Sequence, residues 1–267
     1  MHHQQLGEDA WLFVGDDFES AATAFFHGDE VFLVDALASV RDAAWMRDVL
    51  AGMGKRVRMV ATTHYMSDHL AGIGLFPEAT TIAHRHYRHT FLSQNVREDS
   101  YYVEPDITFD GQMRVRWGRH EIRLLHNPGK TMDHVSVDVP EAGLVCAGDN
   151  IVGNIVYLSK ADPRLIDEAI ARMQQLGRGR VISAHMGVFP ATVLANARAY
   201  LARLRDLAVE IRRSCPGTAF AARVDGIRIE DCLAAGVVAT AFEREWHQNN
   251  LDLIRDMAVF ELDAFVA

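Results

Sequence analysis

Short apolar runs separated by turns set the strongest limit on how this chain folds. Trp11-Leu12-Phe13-Val14, Ala24-Phe25-Phe26 and Val31-Phe32-Leu33-Val34 are too short for core helices and carry no polar residue. Such runs are buried strands, and the His27-Gly28-Asp29 turn between the last two predicts a β-hairpin. Asp35 closes it. Further strands are expected over residues 57–61, 80–83, 107–109, 113–117, 121–125, 135–139, 144–147 and 180–183. Helices interrupt them. Residues 41–51 put Ala44, Trp45, Val49 and Leu50 on one face, and residues 164–176 bring Leu165, Ile166, Ala169, Ile170, Met173 and Leu176 into phase. Shorter helical stretches are expected over 69–75 and 85–92. From residue 191 the character changes. Leu194, Ala197, Leu201, Leu204 and Ala208 mark one long helix, and after Pro216-Gly217 the tail is expected to be helical again through Phe260. Two strand-rich halves interrupted by helices fold most simply as two sheets packed face to face with helices outside, an α+β class with a helical C-terminal section.

Composition narrows the function classes. The chain has 267 residues, 49% hydrophobic and 24% charged, with 7 Pro. This is a globular profile of one or two domains, not a disordered chain, a collagen-like repeat or a disulfide scaffold. A net charge of −9 repels a phosphate backbone, so no nucleic-acid partner is expected. Arg198, Arg203, Arg205, Arg212 and Arg213 are interleaved with apolar residues at helical spacing and read as a solvated face. Cys146, Cys215 and Cys232 are widely spaced, without a CxxC pair, which fits a reducing compartment. The first residues are polar, His2 and His3 are set aside as compatible with a tag remnant, and no run reaches the roughly 18–20 apolar residues of a membrane span. The expectation is a soluble, cytoplasmic protein acting on a small molecule, with no membrane partner and with a homodimer left open.

The sharpest cluster of chemical side chains follows the strand expected over 57–61. His64-Tyr65-Met66-Ser67-Asp68-His69 places ligand-type groups on one tight turn. A helix start capped by Asp68, with His69 at the surface, would explain that turn alone. Later strand ends repeat the theme. His126-Asn127-Pro128-Gly129-Lys130-Thr131-Met132-Asp133-His134 joins two strands through a Pro-Gly turn. Cys146-Ala147-Gly148-Asp149 ends the next strand, and Ser183-Ala184-His185-Met186-Gly187 ends the last one before the helical tail. Each has an ordinary explanation by itself, as a polar strand end or a Gly-Asp turn. Their joint occurrence where a scaffold holds functional groups points to a metal edge.

In these features the sequence resembles the metallo-β-lactamase superfamily over residues 10–190. The landmarks stand in family order: the strand end at Asp35, the turn from His64 to His69, the Pro128-Gly129 loop, Gly148-Asp149, and His185-Met186-Gly187. The resemblance implies an αββα sandwich over residues 1–190 with a metal site at one edge of the sheets. It also implies a helical C-terminal extension, residues 191–267, packed on that domain. Two positions depart from the family pattern. Met66 stands where the turn His-x-His-x-Asp-His has its second histidine, and Lys130 stands where the loop Pro-Gly-His-Thr has its histidine. In the family those two histidines and the one matching His64 bind a first metal. Residues matching Asp68, His69 and His185 bind a second, and the aspartate matching Asp149 bridges the two. Thioether sulfur is a weak donor for Zn²⁺ or Fe²⁺ and an ammonium cannot ligate, so the first site has lost two of its three terminal donors and the second has kept every one.

One divalent metal per chain is therefore expected, Zn²⁺ or Fe²⁺ with Mn²⁺ also compatible, held by Asp68, His69, Asp149 and His185. Lys130 either supplies the positive charge of the lost metal or points to solvent, and Met66 fills vacated space. His64 is free to move a proton, and His64 and His134 remain candidate extra ligands, His134 more readily as a support behind the ligands. The implied activity is that of a metallohydrolase cleaving a small ester, thioester, lactone or amide, with Asp68, His64 and Lys130 as its catalytic groups. A non-haem iron oxygenase or oxidase, or a metal-binding sensor without turnover, are the alternatives. Of the remaining clusters, His84, His86 and His89 read as a solvated face, with a substrate-side residue as the alternative. Tyr101, Tyr102 and Trp117 read as core or as pocket lining. Trp246-His247-Gln248-Asn249 either closes over the site or caps the helices.

Overall fold

The computed structural model describes residues 1–159, 161–214, 218–257 and 259–260. Its first half runs β1 (His2–Gly7), β2 (Ala10–Val14), β3 (Ala21–His27), β4 (Glu30–Val34), α1 (Val40–Gly52), β5 (Arg56–Ala61), α2 (Ser67–Leu70), β6 (Thr80–His84), α3 (Tyr87–Ser93) and β7 (Ile107–Phe109). The second half runs β8 (Gln112–Trp117), β9 (His120–His126), β10 (Val135–Val139), β11 (Leu144–Gly148), α4 (Pro163–Gln175), β12 (Arg180–Ser183) and β13 (Gly187–Pro190). The tail adds α5 (Thr192–Ser214), α6 (Thr218–Val224), α7 (Ile229–Cys232) and α8 (Ala241–Met257). Cys215, Pro216 and Gly217 lie outside the described residues.

Strands β1 to β7 form one sheet in sequence order, and β13-β12-β11-β10-β9-β8 form the second. Strict alternation along the strands builds a core on each side of each sheet. In β4, Phe32 and Val34 join the apolar layer between the sheets, while Val31 and Leu33 turn outward to Met46 and Leu50 of α1. In β11, Leu144 and Cys146 face the inter-sheet layer, while Val145 packs with Ile166 and Ile170 of α4. Helices on both outer faces complete an αββα sandwich. The predicted hairpin is present, with antiparallel β3 and β4 turning at Gly28, whose φ of +60° suits a residue without Cβ. Local signals start the helices: Ser39 Oγ accepts the Asp42 N–H of α1, and Asp162 accepts the Arg164 N–H beside Pro163 in α4.

Three expectations need correction. The polar N-terminal residues, read without any strand, form β1, which includes His2 and His3 and pairs antiparallel with β2 from His2↔Val14 onward. Its burial pattern is mostly exposed, so hydrogen bonding to an edge places it rather than apolar content. The edge strand β13 was not anticipated; it pairs with β12 directly after the His185-Met186 turn. The helix expected over 69–75 is the short α2 followed by a separate 3₁₀ turn at Ile73–Leu75.

The tail docks through buried polar groups as well as apolar ones. Leu201, Leu204, Leu251 and Ile254 share a core with Val145 and Val181 of the second sheet. Thr240 and Glu243 form a capping box at the start of α8: Glu243 Oε2 accepts the Thr240 N–H at 2.8 Å, and Thr240 Oγ1 accepts the Glu243 N–H at 3.1 Å. The other oxygen of this fully buried carboxylate accepts the Asn154 N–H at 2.6 Å, tying α8 to the loop that follows Asp149. Glu243→Ala leaves those amide donors buried and unpaired. It is expected to lower unfolding free energy by about 2–4 kcal/mol in urea denaturation, and an unchanged midpoint would show that the contact does not hold the tail.

Candidate metal centre

The site is assembled where strands stop. Asp35 follows β4, Thr62-Thr63-His64 follow β5, Asp149 follows β11 and His185 follows β12. Backbone strain is concentrated here: Asp35, Leu37, Phe18 and Met186 all have φ between +55° and +68° without being glycine. Asp35 is buried and accepts the Thr63 N–H at 2.7 Å and the Thr63 hydroxyl at 2.8 Å, with His69 Nδ1 at 3.4 Å.

These contacts fix which nitrogen of each histidine is bare. Thr63 spends its hydroxyl proton on Asp35, so His64 Nδ1, 3.2 Å from that oxygen, is the donor of the pair. His69 Nδ1 faces the Asp35 carboxylate, and His185 Nδ1 donates to the Phe18 carbonyl at 2.7 Å. In all three rings the Nε2 lone pair therefore points inward. It meets only acceptors there. His69 Nε2 lies 3.5 Å from Asp149 Oδ1 and 3.6 Å from Asp68 Oδ2, and His185 Nε2 lies 3.2 and 3.7 Å from the same two oxygens. His64 Nε2 lies 3.6 Å from Asp149 Oδ2. His64 Nε2, His69 Nε2 and Asp149 Oδ1 are buried without a hydrogen-bond partner. Lone pairs that converge without a proton between them call for a cation. Ligand atoms of Asp68, His69, Asp149 and His185 all lie within 4.8 Å of one another, and two imidazoles with two carboxylates fit a divalent transition ion. Protons are the alternative counter-charge. Burial opposes charge on His69 and His185, yet Asp68 and Asp149 hold both above the usual imidazole value. Burial and the neighbouring histidines hold His64 well below it.

The two departures from the family pattern lie beside this cluster. Lys130 is only 1% exposed, which rules out the solvent-facing alternative. Its Nζ sits 3.9 Å from the centre of the Tyr157 ring, and burial lowers its pKa to about 8 against the pull of Asp149 and Asp68. Met66 is half-buried in the cleft wall. His134 is buried and turned away from ligation: its Nε2 accepts the Asp149 N–H at 3.1 Å, and burial keeps the ring neutral with a pKa of about 3. Gly148 makes that approach possible, since a Cβ there would lie 2.5 Å from His134 Nε2.

Two supporting residues escaped notice in the sequence. Asn150 Oδ1 accepts the Lys130 N–H at 2.9 Å and its amide donates to Asn127 O, fixing the lysine loop. Asp133 accepts from the Tyr65 N–H at 2.9 Å and from the Thr90 and Thr131 hydroxyls, clamping that loop to the His64 turn. Both are fully buried side chains with polar groups on short loops, a signal visible only once the loops are placed. The His84 cluster requires correction. His84 is buried on β6 and stacks at 3.8 Å on His126 of β9, and burial lowers its pKa to about 4. It is a neutral packing ring between the sheets, with only His89 exposed as expected and His86 half-buried.

A cleft of about 500 Å³ opens over the cluster. Asp68, Asp149, His185 and Lys130 form its floor, with Tyr101, Tyr157 and Trp246 in its walls. Trp246 thus reaches the site from α8, whereas His247 stays in the helical tail against the Tyr200 hydroxyl at 2.8 Å. Trp117 is core, donating to Phe25 O. Cys146 and Cys232 are both free and buried. No helix among the described residues is long and apolar enough to cross a membrane.

Comparison with known proteins agrees with this layout. The sequence profile of the metallo-beta-lactamase superfamily matches residues 15–209. A hydroxyacylglutathione hydrolase of Cereibacter sphaeroides is 24% identical over 155 residues, 57% of this chain and 57% of that protein's length. A metallo-beta-lactamase structure from Pontibacter korlensis superposes with a TM-score of 0.65 at 16% identity, over 75% of this chain and 98% of its own. A stereoselective inverting sec-alkylsulfatase from Pseudomonas sp. gives 0.71 at 15% identity, over 99% of this chain and 50% of its own.

Lys130 yields a pH signature. Its pKa is about 8 in the fold and 10.5 ordinarily, so between those values the unfolded chain holds a proton that the folded chain has released. Stability of the metal-free protein is expected to rise through that window by about 3 kcal/mol relative to Lys130→Met, read from paired denaturation curves at pH 7.5 and 10.5. A parallel pH dependence in both proteins would place the ammonium in water.

Proposed function

The chain belongs to the metallo-β-lactamase superfamily, and from that premise we propose a mononuclear metallohydrolase acting on a small ester, thioester, lactone or amide. One observation carries the proposal: Nε2 of His69 and His185 and the carboxylates of Asp68 and Asp149 converge as acceptors, each imidazole being oriented by an acceptor behind it. A divalent ion held there would acidify a water and polarise the scissile carbonyl.

The chain's own groups divide the remaining work. Asp68 is the ligand with the most open side chain, 28% exposed, and faces the cleft where it can orient the attacking water. His64 Nε2 is a bare lone pair beside Asp149, placed to take a proton. Lys130 offers an ammonium on the floor of the cleft, where it can balance negative charge that develops on the substrate. The hydroxyacylglutathione hydrolase likeness supports a thioester among the candidate bonds.

The test is turnover of a panel of aryl esters, thioesters and lactones by protein loaded with Zn²⁺ or Fe²⁺, beside Asp68→Asn. We expect hydrolysis of at least one ester class, with kcat/KM roughly a hundredfold lower in the variant. Dioxygen consumption without hydrolysis by the iron-loaded protein would overturn the proposal in favour of an oxygenase.

A further inference from the structure

The walls of the cleft say more about the substrate than its floor does. Lys130 Nζ rests on the Tyr157 ring, Tyr157 packs on Trp246 with ring centres 4.3 Å apart, and Trp246 packs on Phe242 at 5.6 Å. A continuous aromatic wall thus starts at the ammonium and runs into α8. The rim bears Phe18 and Val96, which are 57% and 90% exposed. Together with the aromatic wall they give the mouth of a concave site an apolar side.

Charge adds a second constraint. Two carboxylates on the floor, Asp68 and Asp149, offset one divalent cation, and Lys130 then leaves a single positive charge. At the rim Arg97 is already paired with Asp99 at 2.6 Å, and Glu98 is turned back onto the Ser100 N–H and hydroxyl, so neither is aimed at the floor. We infer that this cleft selects singly charged organic anions carrying a ring-sized hydrocarbon group, the anionic end on Lys130 and the hydrocarbon along Tyr157 and Trp246 beneath Phe18 and Val96. Trp246 is then a specificity-determining residue supplied by the C-terminal tail. The assignment rests on the hydrolase proposal only for the bond that is cut; recognition of the anion and of the hydrocarbon does not depend on turnover.

Binding therefore tests it apart from catalysis. Affinities of 4-phenylbutyrate, butyrate and 4-phenylbutan-1-ol would be measured by titration calorimetry on metal-loaded protein, with Trp246→Ala, Val96→Ser and Lys130→Met alongside and circular dichroism confirming that each is folded. We expect 4-phenylbutyrate to bind roughly tenfold or more tightly than either competitor. Trp246→Ala should erase its advantage over butyrate, and Val96→Ser, at a 90% exposed rim position that holds no metal ligand, should reduce it. Lys130→Met should erase its advantage over the alcohol. Equal affinity for 4-phenylbutyrate and butyrate in the unaltered protein would overturn the hydrocarbon assignment. An acid-over-alcohol preference that survives Lys130→Met would overturn the anion assignment, since the metal itself would then be holding the carboxylate. Failure of the hydrolase proposal would appear instead as absent turnover with these preferences intact.

Discussion

The carboxylate of Asp35 sets the direction of two histidines at once. It receives the Thr63 N–H and hydroxyl, which leaves Thr63 oxygen to accept from His64, and it faces His69 Nδ1 directly. Both Nε2 lone pairs are thereby turned into the same small space as Asp149. The residue is held there at a φ of +60° at the end of a fully paired central strand, a conformation that persists only because the surrounding contacts over-determine it. The scaffold has stored a cluster of unshielded acceptors at the edge of its sheets, and the chemistry follows from what relieves them.

The exchange of Met66 and Lys130 for histidines becomes intelligible on the same terms. His64 and Asp149 still face one another at 3.6 Å, so part of the first metal position survives. The missing donors have not been replaced by other ligands: His134 is committed to the Asp149 amide, and Lys130 can only donate. On the proposed reading, the ammonium of Lys130 next to the aromatic wall takes over the charge of the first ion. Its place beside Tyr157, which packs on Trp246, couples the floor of the cleft to the tail helix.

Much of this was legible in the sequence because strand periodicity and turn chemistry are local. The buried runs at β5, β11 and β12 and the candidate site residues that follow them could be read directly, and the family resemblance ordered them. Pairing partners are not local. β1 was invisible because its residues are polar and only an exposed edge of β2 explains it. His84 looked like one of a surface trio until β9 brought His126 against its face. Asn150 and Asp133 act through loops that meet only after both sheets have formed. Trp246 could be weighed as a lid or as a cap, and only the docking of α8 by Glu243 and Asn250 settles that it lines the cleft.

The central claim, that the second metal position is retained and the first is lost, is tested most directly by metal content per chain. Inductively coupled plasma mass spectrometry on protein reconstituted with excess Zn²⁺ or Fe²⁺ and then desalted is predicted to give close to one ion per chain, falling to background in His69→Ala. Two ions per chain would contradict the account, because Lys130 would have to yield to a metal at the first position. No retained ion in either protein would contradict it as well, leaving protons rather than a cation to satisfy the converging acceptors.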